Sequence, residues 1–381
     1  MSSQQATGQS GPQAWIADDV RKDVSWVLRV GQRHNDSLSQ ALRHAKTHGK
    51  PLLEWRQQDF PLDAETRAIL RQAIAMTQGR WGMCLMKGFP VDVWTEEDVR
   101  MAYWGMGLYM GVGRPQNRAS DFTTDVRDAG GSYKVKGGRG YNTNAQLDFH
   151  IDSTDVVALL CRRTAKSGGG SKVVSSIALH DEVQRLRPDL LEVMVRPFFH
   201  SYQGAQDPSQ PPYYRCPVFA QDGDCFAARM NRKNIVAAQR DFPEVPRLTD
   251  AQSDAIELLE QLMASEKLCY TMELERGDMQ LLNSYVTLHS RTSFEDYDDP
   301  DQKRHLLRLW LAVPISQRLP QAWEEYFVDG RPGAVRGGMR GTAVSDAFLA
   351  YERRQADALG MLYATWAPKV RKEDMAASLA V

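Results

Sequence analysis

The chain has no surplus of charge of either sign. Its 381 residues include 47 Lys+Arg against 48 Asp+Glu, a formal net charge of −1. A protein that grips nucleic acid by neutralising phosphates carries a basic excess or a basic block, and neither is present. No apolar stretch approaches the roughly 18 residues of a membrane span; the run Val156–Cys161 is strand-sized. Cysteine is scarce: Cys84, Cys161, Cys216, Cys225 and Cys269 are odd in number, irregularly spaced and lack a Cys-x-x-Cys pair. That excludes a zinc ribbon and a disulfide framework, and the expected setting is a reducing cytosol with the thiols buried as small apolar groups. There is no Gly-x-Ser-x-Gly elbow. Gly168-Gly169-Gly170 is not followed by the Gly-Lys-Ser/Thr of a phosphate loop. A dinucleotide-binding sheet would need strand–helix alternation and a Gly-rich first turn, which are also missing.

What is present is an ordinary globular composition, 42% hydrophobic and 25% charged, in a chain long enough to bury a large core. Residues 1–14 are polar and small and read as a disordered tail without a signal peptide. Helical periodicity is expected over Leu38–His48 and Asp63–Gly79, and Thr95 followed by Glu96, Glu97 and Asp98 reads as a capped helix start. Residues 111–144 are rich in Gly, Arg, Asn and Asp and weakly periodic, as in a functional loop or lid. From Ala145 the texture is that of strands: 147–161, 171–176, 214–219, 225–230, 268–274, 280–288 and 305–313, with helices at about 177–187 and 249–266. Ser345–Trp366 reads as a final amphipathic helix that covers the barrel or forms an oligomer contact. The expected fold is mainly β with added helices: a double-stranded β-helix (jelly-roll) core in one domain, 15–341, with an insert at about 200–270, helical N- and C-terminal extensions, and a C-terminal helix and tail over 342–381.

The chemistry concentrates in Gln146-Leu147-Asp148-Phe149-His150-Ile151-Asp152. On a strand His150 and Asp152 point to one face and Leu147, Phe149 and Ile151 to the other. An imidazole and a carboxylate side by side supply two ligands to a divalent metal, and a further His completes the two-His, one-carboxylate face of non-haem Fe(II) oxygenases. Such a triplet alone is weak evidence, since a strand-end His bonded to a nearby Asp is commoner. Support comes from the buried run after Gly277-Asp278, which is expected to end in a polar loop beginning at His289. In Arg304-His305-Leu306-Leu307-Arg308-Leu309-Trp310, Arg304, Leu306, Arg308 and Trp310 share one face; two arginines on an apolar strand are costly to bury unless each meets an anion. His180, His200 and His305 are expected to be structural.

With these segments in view, FHID (149–152), DVVALLCRRTAKSGGGSKVVSS (155–176), GDMQLLNSYVTLHSRTSFED (277–296) and KRHLLRLWLAVP (303–314) resemble the taurine dioxygenase / clavaminate synthase-like family of Fe(II)- and 2-oxoglutarate-dependent oxygenases. The resemblance extends from about residue 11 to 341 and is weakest in 200–270. It implies that His150, Asp152 and His289 ligate Fe(II), that Arg304 binds the distal carboxylate of 2-oxoglutarate, and that Arg308 holds a carboxylate or sulfonate of the prime substrate. Many members place a Thr after the Gly-Gly pair as a second cosubstrate contact; here Lys172 stands near that place, with Ser171 beside it. Asn144 is a candidate for a hydrogen bond to substrate or is a plain turn residue. The implied reaction uses O2 and 2-oxoglutarate to oxidise an aliphatic C–H bond of a small carboxylate-bearing substrate such as an amino acid, by hydroxylation, desaturation or cyclisation, in specialised metabolism. A taurine-type scavenging dioxygenase and a non-redox metal-binding cupin are the alternatives.

Overall fold

The computed structural model describes residues 11–132, 138, 140–207, 210–339 and 344–364. Two facing sheets form a jelly-roll core. The larger runs in the order Val27–Arg29, Met83–Lys87, Met279–Asn283, Val156–Arg163, His305–Ala312, Val112–Arg114, with Thr123–Val126 also paired to His305–Ala312. The smaller is Tyr270–Met272, Ser171–Ser175, Thr287–Arg291. The pairs within both sheets are antiparallel, except for Val27–Arg29 beside Met83–Lys87.

The period-2 alternation of the large sheet decides what sits where. Leu307, Leu309 and Leu311 join Ala158, Leu160, Met279 and Leu281 against a helical layer formed by Gln32–His48, Ala64–Thr77 and Glu96–Met110. Their neighbours Leu306, Trp310, Val157, Cys161 and Leu282 face inward. The helices start where their caps stand: the side chains of Asp63 and Thr95 accept from the backbone N–H of Thr66 and Asp98.

Several sequence expectations need correction. The run 280–288 is two strands. The Asn283 side chain accepts from Tyr285 N at 3.0 Å, an Asx turn that carries the chain from the large sheet to the small one. His289 therefore lies inside the strand Thr287–Arg291 and not in a polar loop. The stretch 147–161 is strand only from Val156. Before it, Asp155 takes Tyr285 Oη at 2.6 Å, Val313 N at 2.9 Å and Arg336 Nε at 2.7 Å, anchoring a corner that bends the chain away from the ladder. Within 111–144 lie the strands Val112–Arg114 and Thr123–Val126 and a 3-10 turn at Gly140–Asn142; 133–137 and 139 of the expected lid fall outside the described residues. The insert is structured too. Its helix Arg232–Asp241, capped by Asn231, was not anticipated.

The last helix, Asp346–Leu359, stops at Gly360 in a left-handed conformation, earlier than the expected Trp366. It packs on the core: Tyr351 Oη accepts from Gly113 N at 2.8 Å, and Glu352 pairs with the fully buried Arg114.

Candidate metal and cosubstrate site

His150 is placed by an isolated antiparallel bridge. Its N–H donates to the His289 carbonyl, and His289 N–H donates back, both at 3.0 Å. The Asp148 carbonyl lies 2.9 Å from His150 Nδ1; since a carbonyl only accepts, Nδ1 is the donor of this bond. Asp152 follows two residues on, with Ile151 turned into a separate apolar cluster. The side-facing logic of His-x-Asp thus survives although no regular strand holds it.

His289 Nε2 stands 3.7 Å from Asp152 Oδ2, and ligand atoms of His150, Asp152 and His289 all lie within 4.8 Å of one another. Asp152 Oδ2 and His289 Nδ1 are buried without a hydrogen-bond partner. Burial, aided by His150 beside it, pushes the His289 imidazole down to about 3, so it stays neutral. Burial alone would raise the Asp152 carboxyl, but Arg308 and then the two imidazoles hold it below its ordinary value. Two imidazoles, that of His289 held neutral, and an under-satisfied carboxylate are the donor set a divalent iron requires, and the residues fit such an ion.

The triad lies at the junction of two cavities that share Tyr141, Leu147, His150, Asp152 and Arg308. One continues to Ser171, Arg291 and Arg304. The other continues to Gln116, Gln203, Asn231 and Lys233. Arg304 is 5% exposed, and its Nη1 has no partner. Its side chain passes Gly169, whose φ is +80°; a Cβ there would meet Arg304 Nε at 2.9 Å, so this glycine is required by the close approach. Burial lowers the pKa of Arg304, and burial together with Arg304 brings Arg291 down to about 9. Two buried guanidinium groups, with Arg291 Nε and Nη1 and Arg304 Nη1 lacking a hydrogen-bond partner, form a site suited to an anion.

Arg308 faces the triad, with Nη1 3.4 Å from Asp152 Oδ1. Its Nε donates to Gln116 Oε1 at 2.7 Å, and the Gln116 amide in turn donates to the carbonyls of Phe122 and Arg308. Trp310 and Tyr141 flank the guanidinium, with ring centroids at 4.9 and 5.6 Å.

Two expected residues lie elsewhere. Lys172 does not enter the cavity. The register pairs Ser171 with Arg291 and Val173 with His289, so Ser171 shares the inner face and Lys172 the outer one. Lys172 Nζ sits 5.4 Å over the Phe149 ring, while Ser171 Oγ donates to Gln280 Oε1 at 2.9 Å inside. Asn144 is exposed; its carbonyl accepts from Phe294 N at 3.1 Å, and it lines neither cavity. Conversely, Arg291, Gln116 and Lys233 were missed. Arg291 was legible, since it stands two residues after His289 on the same strand face. His305 is buried against Asp125 and Arg162, as a structural histidine should be. The Glu96, Asp125 and His305 cluster is already neutralised by Arg100 and Arg162.

Comparison with known proteins agrees with this geometry. Residues 48–310 match the profile of the family described as taurine catabolism dioxygenase TauD, TfdA. The chain is similar to FR-33289 synthase of Streptomyces rubellomurinus, 28% identical over 319 residues that cover 82% of this chain and 92% of that one. It is also similar to the taurine hydroxylase-like protein SAT17 of Stachybotrys chartarum, 26% identical over 328 residues, 81% of this chain and 80% of that one. Among solved structures, an asparagine oxygenase in complex with Fe(II), 2S,3S-3-hydroxyasparagine and succinate superposes with a TM-score of 0.53 at 18% identity, covering 75% of this chain and 93% of that one. The non-heme iron oxygenase OrfP with Fe and alpha-ketoglutaric acid gives 0.54 at 15%, covering 76% and 95%; at these identities the likeness is one of fold. The chain belongs to the TauD/TfdA family of dioxygenases.

Proposed function

We propose that His150, Asp152 and His289 hold the iron, that Arg304 anchors the distal carboxylate of 2-oxoglutarate, and that Arg308 receives the anionic group of a small carboxylate-bearing substrate, an amino acid or a close relative. The reaction is oxidation of an unactivated aliphatic C–H bond, by hydroxylation or by desaturation or cyclisation, in the specialised metabolism of the cytosol. One observation carries the reading: three convergent side chains able to hold a metal lie beside a cavity lined by Arg304, whose Nη1 has no partner, and a second cavity lined by Arg308, Lys233 and Gln116.

Iron held by His150, Asp152 and His289 would activate O2, with oxidative decarboxylation of 2-oxoglutarate to succinate and CO2 supplying two of the electrons and the substrate C–H bond the other two. The protein contributes position and dryness. Arg304, in the wall of the cavity it shares with the triad, sets how far the cosubstrate reaches toward the triad. Gln116 fixes the Arg308 guanidinium plane, so a carboxylate seated there presents its carbon chain at a defined distance from the metal face. The hydrophobic wall of Leu147, Leu159, Leu274 and Leu306 excludes water from the cosubstrate side. Relatives in fold include an asparagine oxygenase and OrfP, which has been seen with Fe and L-Arg. A synthase of FR-33289 among the sequence relatives supports a biosynthetic role over nutrient scavenging.

The test is anaerobic addition of Fe(II) and 2-oxoglutarate to the purified protein. A weak visible charge-transfer band, lost in Asp152→Ala and in Arg304→Leu at limiting 2-oxoglutarate, is the expected result. Its absence from the unmodified protein would refute the assignment. Succinate release in a screen of amino acids and small organic acids then identifies the substrate.

A further inference from the structure

We propose that Arg291 is a second hand on the distal carboxylate of 2-oxoglutarate, and that its other edge ties cosubstrate binding to the backbone leading into His150 and Asp152. This rests on the reading that Arg304 holds the same carboxylate.

The two guanidinium groups are neighbours. Arg291 stands 4.7 Å and Arg304 5.0 Å from the centroid of a single ring, that of Phe294, and both line the cavity beside the metal triad. Arg291 is 5% exposed and comes from the strand Thr287–Arg291, two residues after His289, which turns its side chain to the same face. Its Nε and Nη1 have no hydrogen-bond partner, nor has Nη1 of Arg304, and among the described residues neither arginine forms an ion pair. A carboxylate offers about four lone-pair sites and accepts two forks of donors, so one arginine does not saturate it. Two buried, half-satisfied forks on one cavity fit a single carboxylate between them better than they fit water.

The third nitrogen of Arg291 has a different task. Nη2 donates to the Thr143 carbonyl at 2.8 Å and to the Ala145 carbonyl at 2.5 Å. These carbonyls belong to the segment that runs directly into Leu147–Asp152. Were Arg291 only a clamp for that segment, its Nη2 edge would suffice, and the Nε–Nη1 edge would not need to be buried bare. With both edges engaged, a carboxylate that immobilises Arg291 also immobilises residues 143–148. Cosubstrate would then stiffen the approach to two of the three metal ligands before substrate arrives. Arg291 is in this sense a positioning residue as well as a binding one.

The experiment uses the full chain loaded with Mn(II), which keeps the site redox-silent. Calorimetry measures binding of 2-oxoglutarate and of 2-oxovalerate, which carries a methyl group where 2-oxoglutarate has its distal carboxylate. In Arg291→Gln, 2-oxoglutarate is expected to bind at least tenfold more weakly and 2-oxovalerate within twofold of the unmodified protein; Arg291→Lys recovers part of the loss. Backbone hydrogen exchange over 143–148 is expected to slow when 2-oxoglutarate binds the unmodified protein and not when it binds Arg291→Gln. Equal weakening of both ligands, together with weaker Mn(II) binding, identifies Arg291 as structural only and overturns the proposal. So does an unchanged 2-oxoglutarate affinity in Arg291→Gln when Arg304→Gln has lost it. Loss in Arg291→Gln while Arg304→Gln binds normally would instead overturn the Arg304 assignment and leave Arg291 as the holder.

Discussion

His150 and His289 exchange both backbone hydrogen bonds across the mouth of the jelly roll and hold their imidazole centroids 4.4 Å apart. Residues 139 positions apart in sequence are thereby locked as an antiparallel pair, and the orientation of both rings is set by main chain before any metal arrives.

Removing a member of the triad should abolish metal binding and leave the fold intact. Asp152→Ala and His289→Ala are each expected to weaken Fe(II) affinity by more than about 100-fold, beyond the range seen for residues that merely support a ligand. Equilibrium dialysis reads the affinity, and circular dichroism checks that the sheet content is unchanged. Retention of stoichiometric iron in either variant counts against the triad.

The two strand arginines should separate kinetically. A lost charge-assisted hydrogen bond is worth ~1.5–3 kcal/mol, or roughly 10- to 100-fold in binding. Arg308→Leu should raise the KM for the prime substrate by about that factor and the KM for 2-oxoglutarate far less; Arg304→Leu should do the reverse. Parallel responses of both constants in both variants would show that the cavities are not divided between the two ligands.

Lys172 offers a control on the register of the small sheet. Because it lies over Phe149 on the outer face, Lys172→Ala is expected to change the KM for 2-oxoglutarate by less than about twofold, as for an ordinary surface substitution. A larger change would mean that the strand presents its other face to the cosubstrate.

Asp155 holds the corner before the large-sheet strand through Arg336, Tyr285 and the Val313 amide, with side chains of the ion pair 0% and 1% exposed. Asp155→Ala leaves a guanidinium buried without its charge partner, and a loss of ~3–5 kcal/mol is expected. Denaturant unfolding measures it. Asp155→Ala should also weaken metal binding, since the corner sets where Asp152 lies.

His200 is fully buried, stacked on Tyr214 at 5.1 Å, and burial, with Arg229 nearby, pushes its pKa down to about 3. In the unfolded chain an imidazole titrates near 6.5. The unfolded state thus binds a proton that the folded state refuses between about pH 6.5 and 3, so this contribution is full above 6.5 and is lost as pH falls. On the order of 2 kcal/mol should be gone by pH 5. His200→Phe should flatten the fall of Tm between pH 6.5 and 5; an unaltered slope would assign it to other groups.

Short-range chemistry is what the sequence determined unaided. Helix starts at Asp63 and Thr95, the shared face of His150 and Asp152, and the inward pair Arg304 and Arg308 follow from caps and from side-chain period, which act over a few residues. Tertiary pairing decided the rest. Whether Ser171 or Lys172 meets the cavity is a question of parity. Both strand readings satisfy the local pattern, and only the alignment of Ser171 with Arg291 across the small sheet selects one. The break at Asn283–Val286 was likewise hidden in an unbroken β-rich run, because its cause is an Asx turn stabilised by docking on Asp155 from a distant strand. Bringing His289 to His150, and Gln116 and Lys233 to the same hollow, required the sheets to close on each other, and no local propensity encodes a contact between residues so far apart.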